Sequence, residues 1–130
     1  MCGLAAILRP REPAEAAARL GRMLAALAPR GPDGQGAHLE PLAALGHRRL
    51  AVLDAAGGAQ PMSLPDGGPV ISFNGEIFNH VELREDLIQR GRCVRTHSDT
   101  EVILHAWEQW GAAMIDRFIG MFTFAIYDTE

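Results

Sequence analysis

The order of apolar runs along the chain predicts an α+β fold built on a mainly antiparallel sheet. Three observations predict it. Strand-like and helix-spaced runs mix without the regular alternation that a parallel α/β sheet requires. Two helix-spaced runs carry start or stop signals. The final apolar run, Met121 to Tyr127, has the unbroken character of a strand covered on both faces.

Gly3 to Leu8 reads as a short buried strand that Arg9, Pro10, Arg11 and Glu12 stop at once. Pro13 suits the first position of a helix. Leu20, Met23, Leu24 and Leu27 continue at helical spacing until Pro29 and Gly31 end the run. Arg30-Gly31-Pro32-Asp33-Gly34 is rich in turn formers. Leu42 to Leu53 holds strand-like residues, with Gly46-His47-Arg48-Arg49 expected to interrupt them. Ala55 to Gly68 reads as a loop. Val70 to Phe73 is a β-prone run meeting Asn74-Gly75, a strong turn signal. Glu76 to Gln89 reads as a helix. Ser98 with Glu101 fits a capping box, and the helix after it is expected to bury Ile103, Ala106, Trp107 and Trp110.

Composition narrows the function classes. A chain of 130 residues suits one domain. A net charge of −4 argues against a nucleic-acid partner. No apolar run reaches membrane-spanning length, and no signal-peptide pattern opens the chain, so the expected location is cytoplasmic. Two cysteines, Cys2 and Cys93, are too few for a disulfide framework. The five histidines show no metal-ligand spacing with either cysteine, so no metal site is expected. Cys93 is read as a small buried side chain.

Cys2 is the most informative residue. It stands directly after Met1 and before Gly3, and loss of the initiator would put a thiol and a free α-amine on one residue. That pairs a soft nucleophile with a built-in base. Such a nucleophile needs oxyanion donors and groups that hold the substrate. Asn74-Gly75 offers a side-chain amide and a backbone N–H, although the same dipeptide also makes an ordinary turn. Arg49 lies among apolar residues, where it either clamps a carboxylate through two hydrogen bonds or forms a structural ion pair. Glu76 and Asp99 stand at expected helix starts, where an acid also serves the helix dipole.

In order, the segments are Met1-Cys2-Gly3, Arg30-Gly31-Pro32-Asp33-Gly34, Gly46-His47-Arg48-Arg49-Leu50, Asn74-Gly75-Glu76-Ile77-Phe78-Asn79, Ser98-Asp99-Thr100-Glu101 and Gly120-Met121-Phe122. This series resembles the glutamine amidotransferase domain of the class II, N-terminal-nucleophile type, in its asparagine synthetase-like branch. Ser98 to Gly111 and the end near Tyr127 look most like the exosortase-associated subgroup. The resemblance spans Cys2 to about Asp128.

The resemblance implies a four-layer α-β-β-α sandwich over residues 2–130, incomplete at its C-terminus and without a synthetase domain. It implies that Cys2 is the nucleophile and that Asn74 and Gly75 form the oxyanion hole. Arg49 would bind the glutamine α-carboxylate, Glu76 and Asp99 its amino end, and Val52 would offer a main-chain carbonyl. The implied reaction is glutamine hydrolysis through a Cys2 thioester, with ammonia passing to a synthetase domain or partner chain. The implied chain has no cofactor of its own, ATP and Mg belonging to the synthetase part. Pro29 replaces the histidine usual before Arg-Gly-Pro-Asp and is expected to reshape the adjoining loop, and Phe78 stands where tyrosine is common. Two other readings remain open at this point: a glutamine-binding regulatory module without turnover, and a truncated, inactive relic.

Overall fold

The computed structural model describes residues 2–51 and 57–129. Its elements are β1 (Gly3–Leu8), α1 (Pro13–Ala26), β2 (Gly34–Leu39), β3 (Ala43–Arg49), β4 (Met62–Leu64), β5 (Gly67–Ile77), α2 (His80–Gln89), α3 (Asp99–Trp110) and β6 (Gly120–Tyr127). Short 3₁₀ turns cover Ala28–Arg30 and Gly111–Arg117.

The strands form two three-stranded antiparallel sheets, ordered β1-β3-β2 and β4-β5-β6. Alternation along β5 sets the layering. Ile71, Phe73 and Ile77 are buried with Leu83 and Leu87 of α2 and with Val102, Ile103 and Ala106 of α3. Ser72, between Ile71 and Phe73, faces the other sheet and donates its hydroxyl to the Gly46 carbonyl at 3.0 Å. On the far side, α1 seats Ala16, Leu20 and Leu24, one helical face, against Ala5 and Ala44. The result is the expected α-β-β-α stack.

Several elements depart from the sequence reading. The strand β3 runs unbroken through Gly46-His47-Arg48-Arg49, paired with β1 and β2 on its two sides. Asn74-Gly75 is not a turn. The strand β5 continues through it in register with β6, from Val70 opposite Tyr127 to Ile77 opposite Gly120. Gly75 has φ +151, and a Cβ there would overlap the Met121 carbonyl. Cross-strand pairing thus overrides the local turn preference and demands glycine. Because the strand runs on, α2 starts at His80 rather than Glu76.

The expected loop from Ala55 to Gly68 contains β4, and β2 follows the turn-rich loop in a stretch where the sequence signals no element. Met23 lies on the open side of α1, 39% exposed. Cys93 is exposed, not buried. The strand β6 is not covered on both faces. Among the described residues it pairs only with β5, and Met121 is 68% exposed. Phe122 and Phe124 of β6 do pack toward the helices, stacked at 6.0 Å. Trp107 and Trp110 pack against the same core, and the Trp107 indole N–H donates to Asp128 at 2.6 Å.

Candidate functional site

The first turn of α3 is buried and polar, and its hydrogen bonds explain why. Ser98 caps the helix by accepting the Thr100 N–H at 3.2 Å. Glu101 does not reach back to close a capping box. Its carboxylate accepts the N–H groups of Arg95 (2.9 Å) and Thr96 (2.6 Å) and the Thr96 hydroxyl (2.6 Å). Burial alone would raise the Glu101 pKa, but these three donors outweigh it and hold the carboxyl below its ordinary value. Asp99 accepts the Ile77 N–H at 3.1 Å, which ties α3 to the end of β5. Burial raises the Asp99 pKa; the Glu76 charge adds to this, while the Ile77 N–H, His80 and the Thr100 N–H oppose it.

Cys2 precedes β1, and its sulfur rests against the Leu50 peptide. The thiol donates to the Leu50 carbonyl at 3.5 Å, and the Leu50 N–H points at the sulfur from 3.3 Å. The backbone of one residue, through its two flanking peptides, therefore offers a partner to the thiol and another to the thiolate. The turn-rich loop pins both segments. Arg30 donates to the Cys2 carbonyl at 3.1 Å, and Asp33 accepts the Ala51 N–H at 2.9 Å. Pro29, where histidine was expected, lies within the 3₁₀ turn just before this loop.

These pieces meet at a cavity of about 250 Å³. Cys2, Arg49, Asn74, Gly75, Glu76 and Asp99 all line it. They come from four places: the approach to β1, the end of β3, the C-terminal part of β5 and the start of α3. Glu76 reaches the cavity from a strand, so its dipole role at a helix start does not apply. Val52 lies outside the described residues.

Sequence reasoning missed other wall residues. Leu50, Gln60 and Met121 also line the cavity. Leu50 acts through its peptide, which leaves no trace in residue type. Gln60 was hidden in a segment whose Gly and Pro content signals only a loop. Met121 was assigned to a core strand.

Beside the site, His47 is fully buried between the sheets. Ser72 gives its one proton to Gly46, so the Ser72 oxygen accepts from His47 Nδ1 at 3.2 Å. That assigns the neutral tautomer and leaves Nε2 without a hydrogen-bond partner among the described residues. Burial, with the Arg49 charge acting the same way, pushes the His47 pKa down to about 4.

Comparison with known proteins bears on this arrangement. The family model for a glutamine amidotransferase domain matches residues 1–130. A glutamine-hydrolysing asparagine synthetase of Bacillus subtilis (number 2) is 40% identical over 98% of this chain. A second, from Arabidopsis thaliana (number 1), is 40% identical over all of it. The chain spans only 17% and 22% of those two proteins. In fold it resembles the solved structure of glutamine phosphoribosylpyrophosphate amidotransferase from Bacillus subtilis. There the TM-score is 0.54 at 24% identity, over 69% of this chain and 22% of that one. The chain belongs to the glutamine amidotransferase domain family.

Proposed function

We propose that this chain hydrolyses glutamine to glutamate and ammonia through a Cys2 thioester, and that the ammonia feeds an amidation of the asparagine synthetase type. The observation that carries the reading is a single cavity lined by a thiol, a guanidinium, two carboxylates and the Asn74-Gly75 amides. A zwitterionic amino acid with a terminal amide matches that set group for group.

In this reading Arg49 holds the α-carboxylate, while Asp99 and Glu76 hold the α-ammonium. Val52 would offer a main-chain carbonyl to the same pocket. The Cys2 thiolate attacks the side-chain carbonyl carbon. Asn74 Nδ2–H and Gly75 N–H stabilise the resulting oxyanion. With Met1 removed, the Cys2 α-amine passes a proton to the departing nitrogen, the C–N bond breaks and ammonia leaves. Water then attacks the thioester, releasing glutamate and restoring the thiol. No step calls for a metal or cofactor in this chain. ATP and Mg would serve a synthetase part, on further chain or on a partner, that receives the ammonia. A cytoplasmic location fits that role. No helix among the described residues is long and apolar enough to cross a membrane.

Glutamate release from glutamine by the purified chain, with Cys2→Ala as control, tests the reading. Release that vanishes in the variant supports it. Undiminished release in Cys2→Ala removes Cys2 as the nucleophile. Glutamine binding without release by a folded chain lacking Met1 would favour the regulatory module.

A further inference from the structure

The edge of β5 that carries the site has an unusual arrangement of N–H groups. The β4 strand covers that edge only as far as Ile71, which lies opposite Met62. Beyond it, side chains take over. Phe73 N–H donates to the Gln60 Oε1 at 2.6 Å, and Ile77 N–H donates to Asp99 Oδ2 at 3.1 Å. Register with β6 is unbroken between them, so the two-residue period turns the Gly75 N–H toward the same edge. Gly75 therefore sits midway between two side-chain clamps, facing the cavity.

Gln60 does more than occupy Phe73. Its Nε2 donates to Thr100 Oγ1 at 3.2 Å, one residue from Asp99. The carboxamide thus spans from β5 to the first turn of α3. Its backbone packs closely against β2, where a Cβ at Gly36 would overlap the Gln60 carbonyl. Hydrogen bonds to β5 and α3 hold its side chain, β2 lies against its backbone, and it lines the cavity itself.

We propose that Gln60 is a positioning residue for the reaction: its carboxamide sets the separation between the Gly75 N–H, where the oxyanion forms, and Asp99, where the α-ammonium binds. The inference rests on the proposed function. A single planar group that accepts on one side and donates on the other is suited to fix a distance between two elements. An error of about 1 Å in such a site costs up to roughly 100-fold in rate.

The test compares Gln60→Met, which keeps the side chain's length and loses both bonds, with Gln60→Glu, whose two oxygens accept from Phe73 N–H and from the Thr100 hydroxyl. Gln60→Met is expected to lower kcat for glutamate release at least tenfold with KM within about threefold of the parent. Gln60→Glu is expected to recover most of the lost kcat. A role confined to stability would lower the melting temperature in Gln60→Met and leave kcat at saturating glutamine unchanged, which overturns the proposal. Equal losses in both variants also overturn it. Amide ¹H–¹⁵N spectra of the same proteins separate this claim from the parent reading. A Gly75 resonance displaced in Gln60→Met and returned in Gln60→Glu supports positioning even where the parent chain releases no glutamate, and in that case glutamine hydrolysis alone fails. An unmoved Gly75 resonance sinks the positioning role whatever the activity.

Discussion

In the proposed reaction Asn74 and Asp99 act on different parts of glutamine, so their removal separates in kinetics. In that reading Asn74→Ala takes away one oxyanion donor that matters only as charge develops. It is expected to lower kcat about 100-fold or more and to leave KM nearly unchanged, which steady-state glutamate release will measure. In that reading Asp99 binds the ground state. Its pKa is raised, chiefly by burial. An α-ammonium pairs only with the ionised form, so KM should fall as pH rises through that raised pKa. Asp99→Asn should raise KM and abolish the pH step, and a KM–pH profile of the two proteins decides this. In the free protein the same residue binds protons more readily folded than unfolded. Its ionisation therefore weakens the fold as pH rises past the ordinary carboxylate range, and glutamine should restore that loss as an increase in melting temperature.

His47 gives the opposite slope. Its pKa is lowered from 6.5 to about 4. Between those values the unfolded chain binds the extra proton, so stability rises with pH across the window and is lost as pH falls through it. The span corresponds to on the order of 3 kcal/mol. Denaturant melts from pH 4 to pH 7 should show this slope in the parent and much less of it in a His47→Gln variant that still folds. The sequence showed His47 only as a histidine without metal-ligand spacing. Its burial and orphaned Nε2 depend on the opposing sheet, which one strand cannot reveal.

At the scale of elements, the start of α3 is organised by Glu101. The carboxylate satisfies two N–H groups and a hydroxyl of the preceding segment. Glu101→Ala would leave them unpaired beside a buried helix start and is expected to cost about 2–3 kcal/mol, read from chemical denaturation. Since the folded pKa lies below the ordinary value, this stabilisation is present above roughly pH 4.5 and is lost as pH falls below it. The helix itself, its Ser98 cap and its buried Ile103 and Ala106 were legible from spacing and end signals. The role of Glu101 was not, because the capping-box pattern fits equally well when the glutamate bonds residues further back. Similarly, Asn74-Gly75 carries a genuine turn preference, and only the ladder with β6 shows that it lies inside a strand. The strand β2, Gly-Gln-Gly-Ala-His-Leu, has little β-propensity of its own and is a strand because β3 pairs with it.

Across the whole molecule, the two sheets bring together segments separated by most of the chain. Cys2 lies 97 positions from Asp99, yet both line one cavity. The six site residues other than Val52 could be named from the sequence because each sits in a recognisable segment. What the sequence lacked was the wall between them: the Leu50 peptide, the Gln60 carboxamide and the half-open edge of β5, all products of tertiary placement. This placement also explains the economy of the site. Two of the three N–H groups on that edge are taken by side chains, and the proposed reaction assigns the third, that of Gly75, to the substrate.

The central claim is a covalent glutamyl intermediate on Cys2, and intact-mass spectrometry of the chain without Met1, acid-quenched during turnover of glutamine, tests it most directly. The account predicts a species heavier by one glutamyl group, mapped by digestion to the N-terminal peptide, enriched in variants slowed at thioester hydrolysis and absent in Cys2→Ala. Glutamate formed with no such adduct, or an adduct that persists in Cys2→Ala, would contradict it.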